Sequence, residues 1–111
     1  MYDQIDDKLK ECIEGLGFKY IKDKPERVVF QKGDVFLTII ISNEEDNNNI
    51  GFETDKCWLE EDIDPHNGKI RYLYDADMNV EDKKEFIRYY NEIKKHTPKQ
   101  TDRKISIEDI S

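Results

Sequence analysis

The sequence predicts an α+β domain: a meandering antiparallel sheet of four to five strands, with an N-terminal and a C-proximal helix packed on one face. Three observations point there. Apolar residues follow a helical period near both ends of the chain. Between those ends they switch to strand alternation broken by turn residues. No connection between the predicted strands contains the helical crossover that parallel pairing needs. With 111 residues the chain is one domain, expected over 1–97, followed by a tail over 98–111 docked on the sheet.

The first helix is expected over residues 4–16, where Ile5, Leu9, Cys12, Ile13 and Leu16 form one stripe. Asp3 can cap its start, and Gly15 or Gly17 can end it in a left-handed conformation. A short strand follows at Phe18–Lys22, and "KDKPE" is turn chemistry. "RVVFQKGDVFLTIIIS" reads as a hairpin around Gly33. A two-residue turn puts Val28 and Phe30 on one face with Val35, Leu37, Ile39 and Ile41. A three-residue turn would set apolar residues opposite polar ones, so it is rejected. "IGFET" is a fourth strand with Ile50 and Phe52 inward, and "KIRYLY" a fifth with Ile70, Tyr72 and Tyr74 inward. The stretch between them, "DKCWLEEDIDPHNG", reads as a long excursion. Asp77 or Asn79 can cap a last helix that buries Phe86, Tyr89, Tyr90 and Ile93, with Lys94, Lys95 and His96 near its negative end. "ISIEDI" reads as a short added strand or a mobile tail.

Strand parity leaves Val29, Phe36, Ile40 and Leu73 on the face away from the helices. Such a patch calls for a cover. Two are available: the tail, through Ile105 and Ile107, or a second copy of the chain, and alternation of the two isoleucines favours the tail.

Charge is unevenly spread. The net charge is −8. Residues 1–42 hold 7 basic and 8 acidic side chains, residues 43–82 hold 3 and 13, and residues 83–111 hold 8 and 5. The middle segment, at −10, begins with "NEEDNNN" and continues through "ETDKCWLEEDIDP". A field of one sign repels nucleic acid and anionic membrane, and attracts basic surfaces. At one charge per ~1.7 Å of duplex axis, ten charges match about 17 Å of DNA, the footprint of one binding groove. Trp58, the only tryptophan, lies inside this acidic run, and a Trp among carboxylates suits a protein contact. Its competing use is to roof the core under the excursion. Glu44, Glu45, Asp46, Asp55, Trp58, Glu60, Glu61, Asp62 and Asp64 are therefore the expected partner-binding residues.

Catalytic arrangements are not apparent. "DIDPHNG" approaches a calcium loop, but counting from Asp62 places Asn67 at the position that needs Gly and Leu73 where Glu is required. Cys57 and His66 lack zinc-site spacing, as do Cys12 and His96. The acidic-x-Lys steps of a metal-dependent nuclease, Asp6-x-Lys8, Asp82-x-Lys84 and Glu92-x-Lys94, fall on helices, and "ETDK" carries Thr54 where the acid belongs. No phosphate-binding loop occurs, and neither His66 nor His96 carries a signal that would place it beside a thiol as its base. No enzyme, metal or cofactor is expected. The chain opens without a basic stretch and apolar run, and no segment nears the ~18 apolar residues of a membrane helix, so a cytoplasmic location with free thiols at Cys12 and Cys57 is expected. A single Ala against 14 Ile and 14 Lys suggests an AT-rich genome, such as that of a low-GC bacterium or its phage.

In size, acidity and lack of catalytic motifs the chain resembles phage-encoded anti-restriction and anti-CRISPR proteins; the likeness is one of composition. It implies a non-enzymatic inhibitor that mimics nucleic acid on the basic surface of a nucleic-acid-handling protein, in the host cytoplasm if phage-encoded. An immunity protein neutralising a basic toxin nuclease uses the same physics. A small structural or regulatory domain that dimerises through its open sheet face remains the third reading.

Overall fold

The computed structural model describes residues 1–41, 48–63, 66, 67, 70–96 and 105–110. Its sheet has six antiparallel strands in sequence order: β1 (Lys19–Lys24), β2 (Arg27–Lys32), β3 (Val35–Ile41), β4 (Asn48–Glu53), β5 (Trp58–Ile63) and β6 (Ile70–Tyr74). Two helices, α1 (Asp7–Gly15) and α2 (Val80–Lys94), contribute their buried residues to the core on one face. The class is the expected one, with one strand more. No helix among the described residues is long and apolar enough to cross a membrane.

Local chemistry sets each element. Asp6, rather than Asp3, caps α1 by accepting from the Lys8 backbone N–H at 3.2 Å. Residues Tyr2–Gln4 form a separate 3-10 turn, which shortens the expected helix. Gly17 follows α1 with φ 98, the left-handed conformation that favours Gly. The β2–β3 hairpin closes through Gly33 and Asp34, since Lys32 pairs Val35. Gly33 has φ 59, which a II′ turn requires at its first central position. Val28 pairs Ile39 and Phe30 pairs Leu37, so the parity expected for this hairpin holds.

The extra strand is β5, within the stretch expected to be an excursion. Thr54 builds the turn that starts it. The Thr54 hydroxyl accepts from the backbone N–H of Lys56 and of Cys57, each at 3.1 Å, and its own N–H donates to the Cys57 carbonyl at 2.8 Å. That closes a hairpin in which Glu53 pairs Trp58. Cys12 and Cys57 are free thiols. Burial pushes the Cys57 thiol above its usual range.

α2 starts at Asn79, whose side-chain carbonyl accepts from the Asp82 N–H at 2.9 Å. Its inward side packs Phe86 on Phe52, ring centroids 5.6 Å apart, and Tyr89 edge-on to Phe18 at 5.0 Å. Lys94 lies in the last turn of α2, as expected, but its side chain turns inward. It is 2% exposed and binds Glu61, also 2% exposed, with Nζ 2.9 Å and 3.0 Å from the two carboxylate oxygens. Tyr90, one turn earlier, donates its phenol to the same carboxylate. Tyr72 lies across the strand pair from Glu61, with its hydroxyl 3.4 Å from that of Tyr90.

The C-terminal segment docks on the helix side. Ile105 and Ile110 join the core, and Ile107–Ile110 is a 3-10 turn touching α2 and β6. The Asn91 side chain clamps Ile105, donating to its carbonyl at 3.1 Å and accepting from its N–H at 2.9 Å. The expectation that this segment covers Val29, Phe36, Ile40 and Leu73 is therefore corrected. Ile105 finds its apolar partners beside α2, with Asn91 satisfying its backbone.

Two outcomes follow from the buried pair. Glu61→Ala removes the buried counter-charge of Lys94 and should cost about 3–5 kcal/mol, read from urea unfolding. The triple variant Glu61→Leu/Tyr90→Phe/Lys94→Met removes every polar member of the pair and its donor, and should recover most of that loss. The second outcome concerns pH. Burial first, then the Glu61 carboxylate, hold the Tyr90 phenol well above its ordinary value of 10. The native state then keeps a proton that the unfolded chain loses, so this contribution to stability declines as pH rises above 10. Tyr90→Phe should cost about 1–3 kcal/mol at neutral pH and flatten the alkaline decline in unfolding midpoint.

Candidate functional site: the outer face of the sheet

The helices leave the other face of the sheet uncovered. One row of paired residues crosses all six strands there: Lys22, Val29, Thr38, Gly51, Glu60 and Leu73. Beside it, Gln31, Phe36, Glu53 and Trp58 are successive cross-strand neighbours. On the other side Arg27 pairs Ile40 and Asp62 pairs Arg71.

This face is a shallow trough. A hollow of ≈ 290 Å³ lies among Arg27, Ile40, Glu53, Trp58, Glu60 and Leu73. A second of ≈ 380 Å³ adjoins it, lined by Lys22, Lys24, Val29, Phe36 and Asp55 among others. The two share Arg27, Thr38 and Glu53. Gly51 keeps the floor low, since a side chain there would lie against Glu60 at ordinary contact distance, 3.6 Å. Trp58 is 40% exposed and Leu73 37%, so Trp58 stands on the open face rather than roofing the core. Val29 is only 5% exposed although it sits on this side.

Charge on the trough is divided. Lys22, Lys24 and Arg27 lie on the β1–β2 side; Glu53, Glu60 and Asp62 lie on β4 and β5. The division depends on a register shift in β1 between Tyr20 and Lys22. Strict alternation from Lys19 would have turned Ile21 and Asp23 outward; the shift turns Lys22 and Lys24 outward instead. Asp62 is held by Arg71, whose Nη2 and Nε lie 2.7 and 2.8 Å from one carboxylate oxygen. Arg71 is exposed and Asp62 half-buried, so solvent screens the pair and it adds at most about 1 kcal/mol. Glu53, Glu60, Asp55 and Arg27 form no ion pair among the described residues.

The structure thus brings Trp58, Glu60 and Asp62 together on one face, with Asp55 exposed in the adjoining turn. Glu61 is a correction: it points inward to Lys94 and is not available to a partner. Glu44, Glu45, Asp46 and Asp64 lie outside the described residues. Val29, Phe36, Ile40 and Leu73 share the outer face, as parity requires. Sequence reasoning overlooked Gly51 and the lysines of β1, because nothing in "KYIKDK" marks a bulge. Among the described residues no group of three His, Cys, Asp or Glu side chains is placed to hold a metal ion. No family model matches the chain, and neither a curated protein nor a solved structure matches it.

The face assignment is testable at two adjacent residues. Trp58→Ala, on the open side, should change stability by less than about 1 kcal/mol, whereas Leu59→Ala, in the core, should cost about 2–5 kcal/mol. Urea unfolding of the two variants reads the contrast.

Proposed function

We propose that the protein is a non-enzymatic, cytoplasmic binding domain that uses the Trp58 end of the trough to hold the basic surface of a nucleic-acid-handling protein. The observation carrying this reading is an exposed Trp58 between Glu53 and Glu60 in a hollow with apolar walls. A guanidinium or ammonium entering there meets two carboxylates without an ion pair among the described residues and an aromatic face, while Ile40 and Leu73 support its aliphatic stem. Occupying a basic groove in this way displaces the nucleic acid it serves, which makes the protein an inhibitor. A phage-encoded inhibitor of a defence nuclease and an immunity protein against a toxin nuclease both need this surface.

The test uses the heparin-binding proteins of a low-GC bacterial lysate passed over the immobilised chain. A retained protein should elute as salt rises, since the attraction is screened beyond about 8–10 Å at physiological ionic strength. Added chain should release DNA from that protein. Trp58→Ala should weaken retention roughly 30-fold or more, the effect of losing a hot-spot residue. Retention insensitive to salt and to Trp58→Ala, or a retained protein that keeps its DNA, overturns the reading.

A further inference from the structure

The outer face carries, on one surface, both members of a charge-complementary pair. We infer that two copies of the chain associate face to face through this trough, related by a twofold axis that lies in the interface and runs along the strands between β3 and β4. This inference stands apart from the partner reading above and would supply that surface with a second, competing occupant.

Symmetry restricts the choice. A twofold axis perpendicular to the strands would lay β1 on β1 and β5 on β5, setting lysine against lysine and carboxylate against carboxylate. The axis along the strands folds the six-strand row about its middle. Thr38 then faces Gly51 of the second copy, whose lack of a side chain leaves room beside Glu60. Lys22 lays its aliphatic stem over Leu73, with its ammonium beside Glu60. Arg27, two residues from Val29 on β2, comes within side-chain reach of Glu60 of the second copy. Each contact occurs twice, as an isologous interface requires. Two like-charge approaches arise: Lys24 towards Arg71 at the open margin, where Asp62 already neutralises Arg71, and the two Glu53 side chains, which flank the axis, each beside Phe36 of the other copy.

Area sets the strength. Five strand spacings of ~4.8 Å and six residues of ~3.3 Å give a face of roughly 24 by 20 Å, about 1,000 Å² for the two copies, the floor for a specific interface. The dimer is therefore weak and reversible.

Sedimentation of the full-length chain tests this. The chain should be monomeric near ~1 μM and dimeric near ~200 μM at low salt, shifting back to monomer at ~0.5 M salt. Arg27→Glu and Glu60→Arg should each weaken self-association about 10-fold or more while leaving the thermal midpoint unchanged. Mixed together, the two variants should form a heterodimer, because each supplies the charge the other lacks. A third variant, Gly51→Val, fills the floor against Thr38 and should also abolish the dimer. A wild-type chain that stays monomeric at ~200 μM in low salt overturns the inference, as does a mixture of the charge variants that fails to associate. A monomeric chain that still retains a basic protein through Trp58 overturns the dimer alone. A dimer that retains nothing from the heparin-binding fraction overturns the partner reading alone.

Discussion

Glu61 and Lys94 are both cut off from water, and neither charge is tolerable there without the other. Glu61 comes from the fifth strand and Lys94 from the last turn of α2, so the pair ties the end of the second helix to the far side of the sheet. Tyr90 and Tyr72 complete the polar cluster, one from each of the layers being joined. The pair also decides which side of β5 is which. A one-residue slip would put Glu60 or Asp62 in the core with no cation to meet it, and would turn Trp58 inward. The buried carboxylate therefore holds the exposed tryptophan on the open face.

Where the inward residues are apolar, the sequence was easy to read. The stripe through Leu9 and Ile13, the pairs Val28–Ile39 and Phe30–Leu37, and the α2 residues Phe86, Tyr89, Tyr90 and Ile93 all lie where periodicity puts them. β5 was illegible for the reason just given. Its inward positions include a glutamate, so alternation broke down at the residue that most needs a partner 33 positions away. The pairing of Lys94 with Glu61 left no trace either, because a lysine in the last turn of a helix already has a sufficient local explanation. The docking of the C-terminal segment depends on Asn91, a polar residue of the last helix whose use as a backbone clamp leaves no periodic trace. Of the open face, the apolar members followed from parity, and its floor and basic side did not.

Charge counted along a chain differs from charge displayed on a surface. The acidic segment loses Glu61 to the interior and Asp62 to Arg71, and Asp82 is taken up in the cap of α2. What stays on display around Trp58 is narrower than the segment's total suggests, and it shares its face with lysines drawn from a different part of the sequence. The surface is dipolar although the chain as a whole is strongly acidic.

The register shift in β1 has one more effect. β1 is an edge strand, and edge strands template the addition of further strands, which is how sheet proteins aggregate. A bulge near its middle interrupts the regular ladder that an incoming chain would have to match. Three lysines along six residues add repulsion, and Pro25 ends the strand at the turn. The irregularity that supplies the trough with its basic side thus also closes the sheet against runaway growth. Assembly through an edge would be open-ended, whereas assembly through a face stops at two.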